Sequence, residues 1–295
     1  MHGLLIIDKP AGPTSHDVVA RVRRALRTKR VGHTGTLDPL ATGVLPLVVG
    51  SATRLASLLS GADKEYVATI RLGGVTDTYD AAGLDGPPPE TPAGIDAVAV
   101  DAALHQFRGT FQQVPPAFSA KKIGGVPAYK LARRQAPVQP AAVEVTVREL
   151  TLEHYAEGLA RVRVTVSAGF YVRSLAHDLG QRLGCGAYLE TLRRVAVGSY
   201  REDSASPLDD VEGEGAGAAS RIIPMEHLLP EIPAVVLNDR AARRATHGNE
   251  VMSEDVTAAG PFGCAKYRLL DSSGRLIAIA EARPGGLLHP VTVLV

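Results

Sequence analysis

The chain has 295 residues, of which 45% are hydrophobic, and a formal net charge of only +1, so it can bury a sizeable core. No apolar run reaches the roughly eighteen residues of a membrane-spanning helix, and we expect a cytoplasmic protein without a membrane contact. The two cysteines, Cys185 and Cys264, are far apart and lack metal-ligand spacing, which argues against a disulfide framework and a zinc site.

The first predicted elements are a strand and a basic helix. The bulky aliphatic residues of MHGLLIIDKP favour a strand, and Thr14 with Asp17 forms a capping-box-like pair that begins a helix. The apolar residues of this helix fall on one face at helical spacing: Val18, Val22, Ala25 and Leu26. Most of its arginines therefore lie on the other face.

Residues 32–46, GHTGTLDPLATGVLP, follow this helix and carry a single carboxylate, Asp38. Asp-Pro favours the start of a turn, and the surrounding glycines can adopt backbone angles closed to other residues. The segment lacks the Gly-Lys-Ser/Thr ending of a phosphate loop. An isolated Asp-Pro is most simply an Asx turn, but this context also suits a carboxylate presented to a substrate.

The middle of the chain predicts an α+β domain around a mainly antiparallel sheet. Period-2 alternation indicates strands at 65–73, 143–150 and 159–167, and a short helix is expected at 96–107. After Gly169 the spacing of apolar residues changes to that of a helix. Strands separated by helices of unequal length are typical of α+β proteins.

The last third of the chain predicts a loop and a second module. Residues 203–220 are rich in Gly, Ala, Ser and acid, and we expect a mobile acidic loop there. We place a domain boundary between 1–230 and 231–295, because short strands punctuated by Gly and Pro follow residue 231, as in a small β-barrel. A purely structural role for this module remains an alternative.

Charge is segregated along the chain, so the small net charge does not exclude a nucleic-acid partner. Residues 21–30 and 121–134 contain several basic residues and no acid, whereas 202–214 concentrates acidic ones. The local field matters more for phosphate contact than the net charge does. Either basic segment could be a solvated helix face, but two of them flanking the Asp38 segment favour RNA contact.

Residues 32–46 closely resemble the catalytic loop of the TruB family of pseudouridine synthases, GHTGxLDPxATGxLP. The resemblance extends over nearly the whole chain, through 3–24, 50–83, 167–184 and 192–200, and is weakest in 203–220 and near the C-terminus. It implies a pseudouridine-synthase fold with a mixed sheet and flanking helices, followed by a PUA-like RNA-binding β-barrel. It also implies conversion of uridine 55 in the T-loop of tRNA to pseudouridine, without a cofactor or a metal.

The resemblance also assigns roles to individual residues. Asp38 matches the catalytic carboxylate, Arg173 the arginine that pairs with it, and Tyr66 the active-site tyrosine that can stack on a flipped base. Tyr171 is expected to line the same pocket, and Leu192 matches a pocket leucine. For Leu192, plain core packing is an equally good interpretation.

Other residues are predicted to contact the RNA. His33 is expected to fill the space of the flipped nucleotide or to stack on RNA, although a structural histidine is a common alternative. Arg54 stands where the family often has lysine, so a phosphate contact would survive the change. Residues 114–140 resemble an RNA-gripping insertion whose Lys121 and Lys122 are expected to bind phosphate.

Two alternative functions stay open at this point. One is a related synthase that works inside a guide-RNA particle, which the continuous insertion and the minimal C-terminal module make less suitable. The other is a tRNA-folding chaperone in which binding matters more than catalysis. For the favoured enzyme we expect a monomer that contacts the T-arm, and possibly the acceptor end, and that needs no obligate protein partner.

Overall fold

The computed structural model describes residues 1–119, 122–123, 126–127, 140–259 and 263–294. Its helices are α1 Ser15–Ala25, α2 Ala56–Ser60, α3 Ala97–Leu104, α4 Val172–Leu183, α5 Leu208–Glu214 and α6 Asp239–Thr246. Its first strands are β1 Gly3–Lys9, β2 Val31–His33, β3 Thr42–Val49, β4 Lys64–Leu72, β5 Gly109–Gln113, β6 Lys122–Ile123, β7 Val126–Pro127, β8 Val143–Ala156, β9 Leu159–Val166 and β10 Ala187–Val197. The remaining strands are β11 Tyr200–Arg201, β12 Ser206–Pro207, β13 Ile223–Pro224, β14 Ala234–Leu237, β15 Val251–Met252, β16 Val256–Ala259, β17 Lys266–Leu270, β18 Leu276–Arg283 and β19 Leu287–Val293.

A large mixed sheet has the strand order β12-β1-β3-β10-β4-β9-β8-β5, with β2, β11 and β13 paired at its side. All of its pairs are antiparallel except β1 with β12 and β3 with β10. The predicted α+β class and mainly antiparallel sheet are confirmed. The pairing of β3 with β10 is important for function, because it places the segment after Asp38 beside the strand that carries Leu192.

Helix α1 begins as its sequence predicts. The Thr14 hydroxyl accepts a hydrogen bond from the amide of Asp17, and the Asp17 carboxylate accepts one from the amide of Thr14. Val18 and Val22 are fully buried and belong to the apolar cluster on one face of the sheet. This packing fixes the start of α1 next to the Asp38 loop.

A second, six-stranded sheet has the order β15-β19-β18-β17-β14-β16 and forms a nearly closed, barrel-like module. The expectation of a small C-terminal β-barrel is confirmed. Leu276 and Ile279 of β18 belong to the same apolar cluster as Leu4 and Val48 of the large sheet. The second sheet therefore packs directly on the face of the first sheet that is opposite to α1.

The expectation of a loop at 203–220 is wrong. The segment contains α5 and a 3-10 helix, Gly215–Arg221. Leu208 and Val211 are buried in the cluster that also holds Val18 of α1, and the Arg21 guanidinium forms ion pairs with Asp209 and Glu212. Buried apolar residues, including Ala218, and ion pairs with Arg21 hold a segment whose composition suggested disorder.

The predicted RNA-gripping insertion lies mostly outside the described residues. Lys121 is among the residues not described, and only the backbone of Lys122 is, in a two-residue pairing of β6 with β7. Within the described ranges, no helix has both the length and the apolar character needed to cross a membrane.

Candidate active site

The loop between β2 and β3 holds Asp38 on an anchored turn. The Ser15 hydroxyl, at the start of α1, accepts from the Leu37 amide at 2.8 Å and donates to the Leu37 carbonyl at 3.0 Å. On the other side of the carboxylate, the Gly12 amide donates to the Pro39 carbonyl at 2.8 Å. The backbone is thus fixed immediately before and after Asp38, which suits a carboxylate that must be held in one position.

A buried lysine also holds this turn through hydrogen bonds to its backbone. Lys9 is fully buried, and its Nζ donates to the carbonyls of Pro10 at 2.8 Å, Pro39 at 3.3 Å and Ala41 at 2.7 Å. Burial lowers the pKa of Lys9 to about 8, and the nearby Asp38 carboxylate partly opposes that shift. All three ammonium protons are engaged, so Lys9 supports the loop and has no donor left for a ligand.

Asp38 and Arg173 form an ion pair. Arg173 lies in the first turn of α4 and is 5% exposed, whereas the Asp38 side chain is 33% exposed. The Nε–Oδ2 distance is 2.9 Å but is not an aligned hydrogen bond, whereas Nη2 donates to Oδ1 at 3.2 Å. Nη1 and Nη2 also donate to the carbonyls of Thr78 and Phe118, each at 3.0 Å. The guanidinium is therefore held on three sides, and it orients the carboxylate.

A second carboxylate, Asp80, also faces the guanidinium of Arg173. It is 6% exposed, and its Oδ2 is 3.6 Å from Arg173 Nε. The Thr78 hydroxyl and the Ala82 amide donate to its Oδ1 at 2.6 and 3.1 Å. Burial raises the pKa of Asp80, while the Thr78 hydrogen bond and Arg173 oppose the shift. Sequence reasoning missed this residue because the TDTYD turn offers two aspartates and no spacing that selects one of them.

An aromatic stack supports the turn that carries Asp80. Tyr79 has a φ of 61°, a left-handed conformation that costs a non-glycine residue about 1–2 kcal/mol. Its ring stacks on His177 of α4 with a centroid separation of 3.9 Å, and its carbonyl accepts from the Leu189 amide at 3.0 Å. These contacts connect the turn to the helix that carries Arg173.

The predicted catalytic residues meet in a pocket of about 280 Å³. The pocket contains five of the residues that the sequence singled out: Asp38, Tyr66, Tyr171, Arg173 and Leu192. Four sequence segments that are distant along the chain supply them, because β4, β10, α4 and the β2–β3 loop meet at one end of the sheet. The structure brings these residues together; their individual roles remain predictions.

Strand register explains which residues form the floor of the pocket. Lys64 and Tyr66 are two residues apart on β4 and so share one face. Arg194 of β10 is the direct cross-strand partner of Tyr66, and Leu192 lies two residues from it on the same face. All four side chains are buried, with relative exposures of 8% or less.

Lys64 and Arg194 are the basic residues of the floor that sequence reasoning missed. Lys64 Nζ donates to the Ser60 and Ala62 carbonyls, both at 2.6 Å. Burial, reinforced by the positive charge of Arg194, lowers the pKa of Lys64 to about 8. The signal available in the sequence was alternation: once Tyr66 is placed in the pocket, Lys64 follows on the same face of the strand.

Tyr171 is positioned by its backbone. Its amide donates to Gln113 Oε1 at 2.8 Å, and its carbonyl accepts from Gln113 Nε2 at 3.1 Å. Burial raises the pKa of the Tyr171 phenol. A neutral ring fixed at the start of α4 is suited to forming a wall of the pocket.

Two other predicted contacts lie outside this pocket. His33, at the end of β2, packs edge-on against His16 with a centroid separation of 5.3 Å, and burial lowers its pKa. Its Nδ1 is buried without a partner in the described part of the chain. Arg54 lies at the surface, where its Nη1 donates to the Val293 carbonyl of the C-terminal sheet at 2.5 Å. Among the described residues, no group of three or more His, Cys, Asp or Glu side chains could hold a metal ion.

Comparison with known proteins identifies the family of this chain. The family described as TruB family pseudouridylate synthase (N terminal domain) matches residues 23–172, and the tRNA pseudouridylate synthase B C-terminal domain matches 173–230. The chain belongs to the TruB family of pseudouridylate synthases. The "tRNA pseudouridine synthase B" of Solibacter usitatus is 43% identical over all of both chains. That of Thermobifida fusca is 44% identical over 99% of this chain and 98% of the relative.

Solved structures similar to this chain include chains of two H/ACA ribonucleoprotein assemblies. A chain of the "archaeal box H/ACA sRNP Nop10-Cbf5 complex" aligns with a TM-score of 0.74 at 25% identity, covering 99% of this chain and 86% of that one. A chain of an "H/ACA RNP bound to a substrate RNA containing 2'-deoxyuridine" aligns with a TM-score of 0.75 at 25% identity, covering 99% and 85%. The expected pseudouridine-synthase fold is thereby confirmed.

Proposed function

We propose that this protein converts uridine 55 in the T-loop of tRNA to pseudouridine. The observation that carries the proposal is the Asp38–Arg173 ion pair at the end of a pocket that also contains Tyr66 and Leu192. Full-length relatives that carry the name tRNA pseudouridine synthase B support tRNA as the substrate class. Uridine isomerisation requires breaking the C1′–N1 bond, turning the base and rejoining it through C5.

The reaction begins with base flipping. A uridine stacked inside an RNA loop cannot reach Asp38, so it leaves the stack and enters the pocket at a cost of a few kcal/mol. Asp38 then acts at the sugar or the base, as carboxylates do in glycoside chemistry, while Arg173 keeps it oriented. The turnover is an isomerisation, so the detached base must stay in the pocket until it rejoins the sugar.

The pocket walls are suited to retaining the base. Tyr66 offers a ring for stacking and a hydroxyl that can assist proton transfer at C5, and Tyr171 lines the same pocket. Leu192 contributes an apolar contact beside them and keeps water away from the reacting atoms. Such a pocket favours rejoining over loss of the base to solvent.

RNA binding is proposed to use exposed basic residues around this pocket. Arg24 and Arg30 lie at the surface after the start of α1, whereas Arg21 is occupied by the acidic residues of α5. Lys121 and Lys122, and the surface residue Arg54, are proposed as further phosphate contacts. His33 is proposed to contact the RNA next to the flipped nucleotide. We propose that the protein acts on tRNA as a monomer in the cytoplasm and needs no protein partner.

The decisive experiment replaces the carboxylate. Asp38→Asn should abolish tritium release from tRNA labelled at uridine C5 while changing the Kd for tRNA by no more than about twofold, because the proposed role of Asp38 is in chemistry. Asp101→Asn, a half-exposed carboxylate of α3 that pairs with His105 outside the pocket, is the matched control and should retain full activity. Measurable turnover by Asp38→Asn would refute the assignment.

An isolated T-arm stem-loop should also be a substrate, because T-loop shape is recognised with few base contacts.

A tRNA-folding chaperone is the second candidate function. The C-terminal module favours it, because Arg240 and Arg243 lie exposed on α6 without an acidic partner in the described residues. The two functions separate in the Asp38→Asn variant, whose RNA-binding surfaces are intact. If that variant promotes tRNA folding as the wild type does, binding carries a function of its own.

A further inference from the structure

Buried cations are concentrated around the pocket. Four lysine and arginine side chains are buried in the part of the chain that the structure describes: Lys9, Lys64, Arg173 and Arg194. All four lie around the catalytic loop, linked by their interactions with one another and with Asp38. Asp38 and Asp80 both face Arg173, whereas Asp63, the carboxylate that acts on Lys64, is partly exposed and pairs with Arg148, so positive charge is in excess in the buried part of the site. Burying unpaired positive charge is costly, and such an excess calls for an anion.

Lys9 is fully used by the protein, and the one unaligned donor of Arg173, its Nε, already faces the Asp38 and Asp80 carboxylates. Lys9 donates to three carbonyls, and Arg173 is held by Asp38, Thr78 and Phe118. Lys64 uses two of its three protons. Arg194 donates through Nε to the Val44 carbonyl and through Nη2 to the Gly35 carbonyl, and its Nη1 has no acceptor in the described residues. The spare donors therefore belong to Lys64 and Arg194.

Gly35 leaves these donors open. A Cβ at Gly35 would lie 3.5 Å from Arg194 Nη1 and 3.9 Å from Lys64 Cε. Both distances are ordinary van der Waals contacts, so a methyl group fits there without a clash and would cover the two cations. The absence of a side chain at Gly35 exposes them to the pocket.

Their depth indicates which part of the RNA they meet. Arg194 is 1% exposed and is paired across the sheet with Tyr66, the residue proposed to stack on the base. A flipped nucleotide inserts its base, while its phosphates stay at the rim with the rest of the backbone. Cations on the floor therefore face the base.

We propose that Lys64 and Arg194 form an anion subsite that holds the detached uracil of the proposed reaction. When the C1′–N1 bond breaks, its electron pair leaves with the base, which becomes a uracil anion. The Lys64 ammonium and the Arg194 Nη1 donate to the oxygen atoms that carry this charge. The C5 atom then forms the new bond to C1′, N1 gains a proton and C5 loses one, so atoms and charge balance. This inference rests on the proposed isomerisation and assigns leaving-group stabilisation to two residues of the β-sheet floor.

The test varies the leaving group. Lys64→Met and Gly35→Ala are compared with wild type on T-arm RNA containing uridine or 5-fluorouridine at the reactive position. Cleavage of the glycosidic bond is followed in single turnovers by nuclease digestion and mass spectrometry. Fluorine withdraws electrons and stabilises the uracil anion without help from the protein. We expect Lys64→Met to slow uridine cleavage about 100-fold, as loss of one preorganised charged donor does. Cleavage of 5-fluorouridine should slow by a factor about tenfold smaller than this.

Gly35→Ala keeps both cations and only covers them. It should therefore slow cleavage of uridine more than cleavage of 5-fluorouridine, as Lys64→Met does, but by a smaller factor and with an unchanged melting temperature. Arg71→Met removes a partly buried cation from the other face of β4 and is the matched control, with equal effects on both substrates. Equal slowing of both substrates by Lys64→Met and Gly35→Ala would overturn the proposal in favour of a structural role. A methylphosphonate next to the reactive uridine that removes the effect of Lys64→Met would also overturn it, because the cation would then contact phosphate. Failure of the proposed function itself is recognised separately, by the absence of any cleavage in wild type.

Discussion

Arg173 and Arg194 in the pocket are 5% and 1% exposed, and backbone carbonyls hold both of them in place. Arg240 and Arg243 on α6 lie at the surface, on the side opposite to the buried alanines of that helix. Both regions are rich in arginine, but only the first fixes its guanidinium groups before any substrate arrives. Preorganised charge serves a transition state, whereas exposed charge serves phosphate contacts that depend on salt. Variants in the pocket should therefore change rate constants, and variants on α6 should change affinity.

The largest effect is expected at the ion pair. Arg173→Lys keeps the positive charge but loses the planar guanidinium that contacts Asp38, Thr78 and Phe118 together. The single-turnover rate constant should fall by about 100-fold or more, with tRNA affinity nearly unchanged. Quenched tritium-release assays at saturating enzyme measure the single-turnover rate constant, and filter binding measures the affinity for tRNA. A loss confined to affinity would place Arg173 with the exposed arginines instead.

A smaller loss is expected at the second carboxylate. Asp80→Asn preserves acceptance from Thr78 and Ala82 but removes the charge that faces Arg173 at 3.6 Å. Misplacement of a catalytic group is costly, and we expect a decrease on the order of tenfold in the single-turnover rate constant. Asp77→Asn, in the same turn but exposed, is the control. If both variants have the same rate, Asp80 does not position Arg173.

The α6 face should respond to salt. The double substitution Arg240→Gln and Arg243→Gln removes two possible phosphate contacts, so the log–log slope of affinity against salt should become shallower by about 1.4 to 1.8. The rate constant at saturation should not change. Arg275→Gln, whose guanidinium is paired with Asp271, serves as the control. An unchanged slope in the double variant would mean that α6 does not touch RNA.

The smallest effect concerns stability and pH. Burial lowers the folded-state pKa of Lys64 to about 8 from 10.5, so between these values the unfolded chain binds more protons than the folded one. The free energy of unfolding should therefore rise as the pH increases from 8 to 10, by on the order of 2 kcal/mol from this lysine. Chemical denaturation at several pH values should show a flatter dependence for Lys64→Met than for Lys29→Met, an exposed control. If the free energy of unfolding depended on pH equally in both variants, the lowered pKa of Lys64 would be contradicted.

The sequence predicted much of the fold because alternation and capping are local signals. The strand at 65–73 and the helix after Gly169 were found in this way, at 64–72 and 172–183. Lys64 could have been found by alternation from Tyr66, whereas nothing local distinguishes Asp80 from Asp77 in the same turn. Arg194 was missed because its importance depends on which strands are neighbours, and register is a long-range property. The order of 203–220 was missed for the same reason: α5 is stabilised by α1, which lies far away in the sequence.

The apolar cluster between the two sheets has a mechanical consequence. Leu276, Ile279 and Leu294 share one apolar interior with Leu4 and Leu55. The barrel-like module is therefore packed against the large sheet and is not a domain joined only by a flexible linker. Movement of the RNA against this module would be transmitted as a rigid body to β1 and β3, the strands that frame the catalytic loop. Cutting the chain near residue 231 would strip the cover from this interior and expose it to water. The position of the barrel-like module relative to the catalytic loop is therefore set by this shared apolar interior.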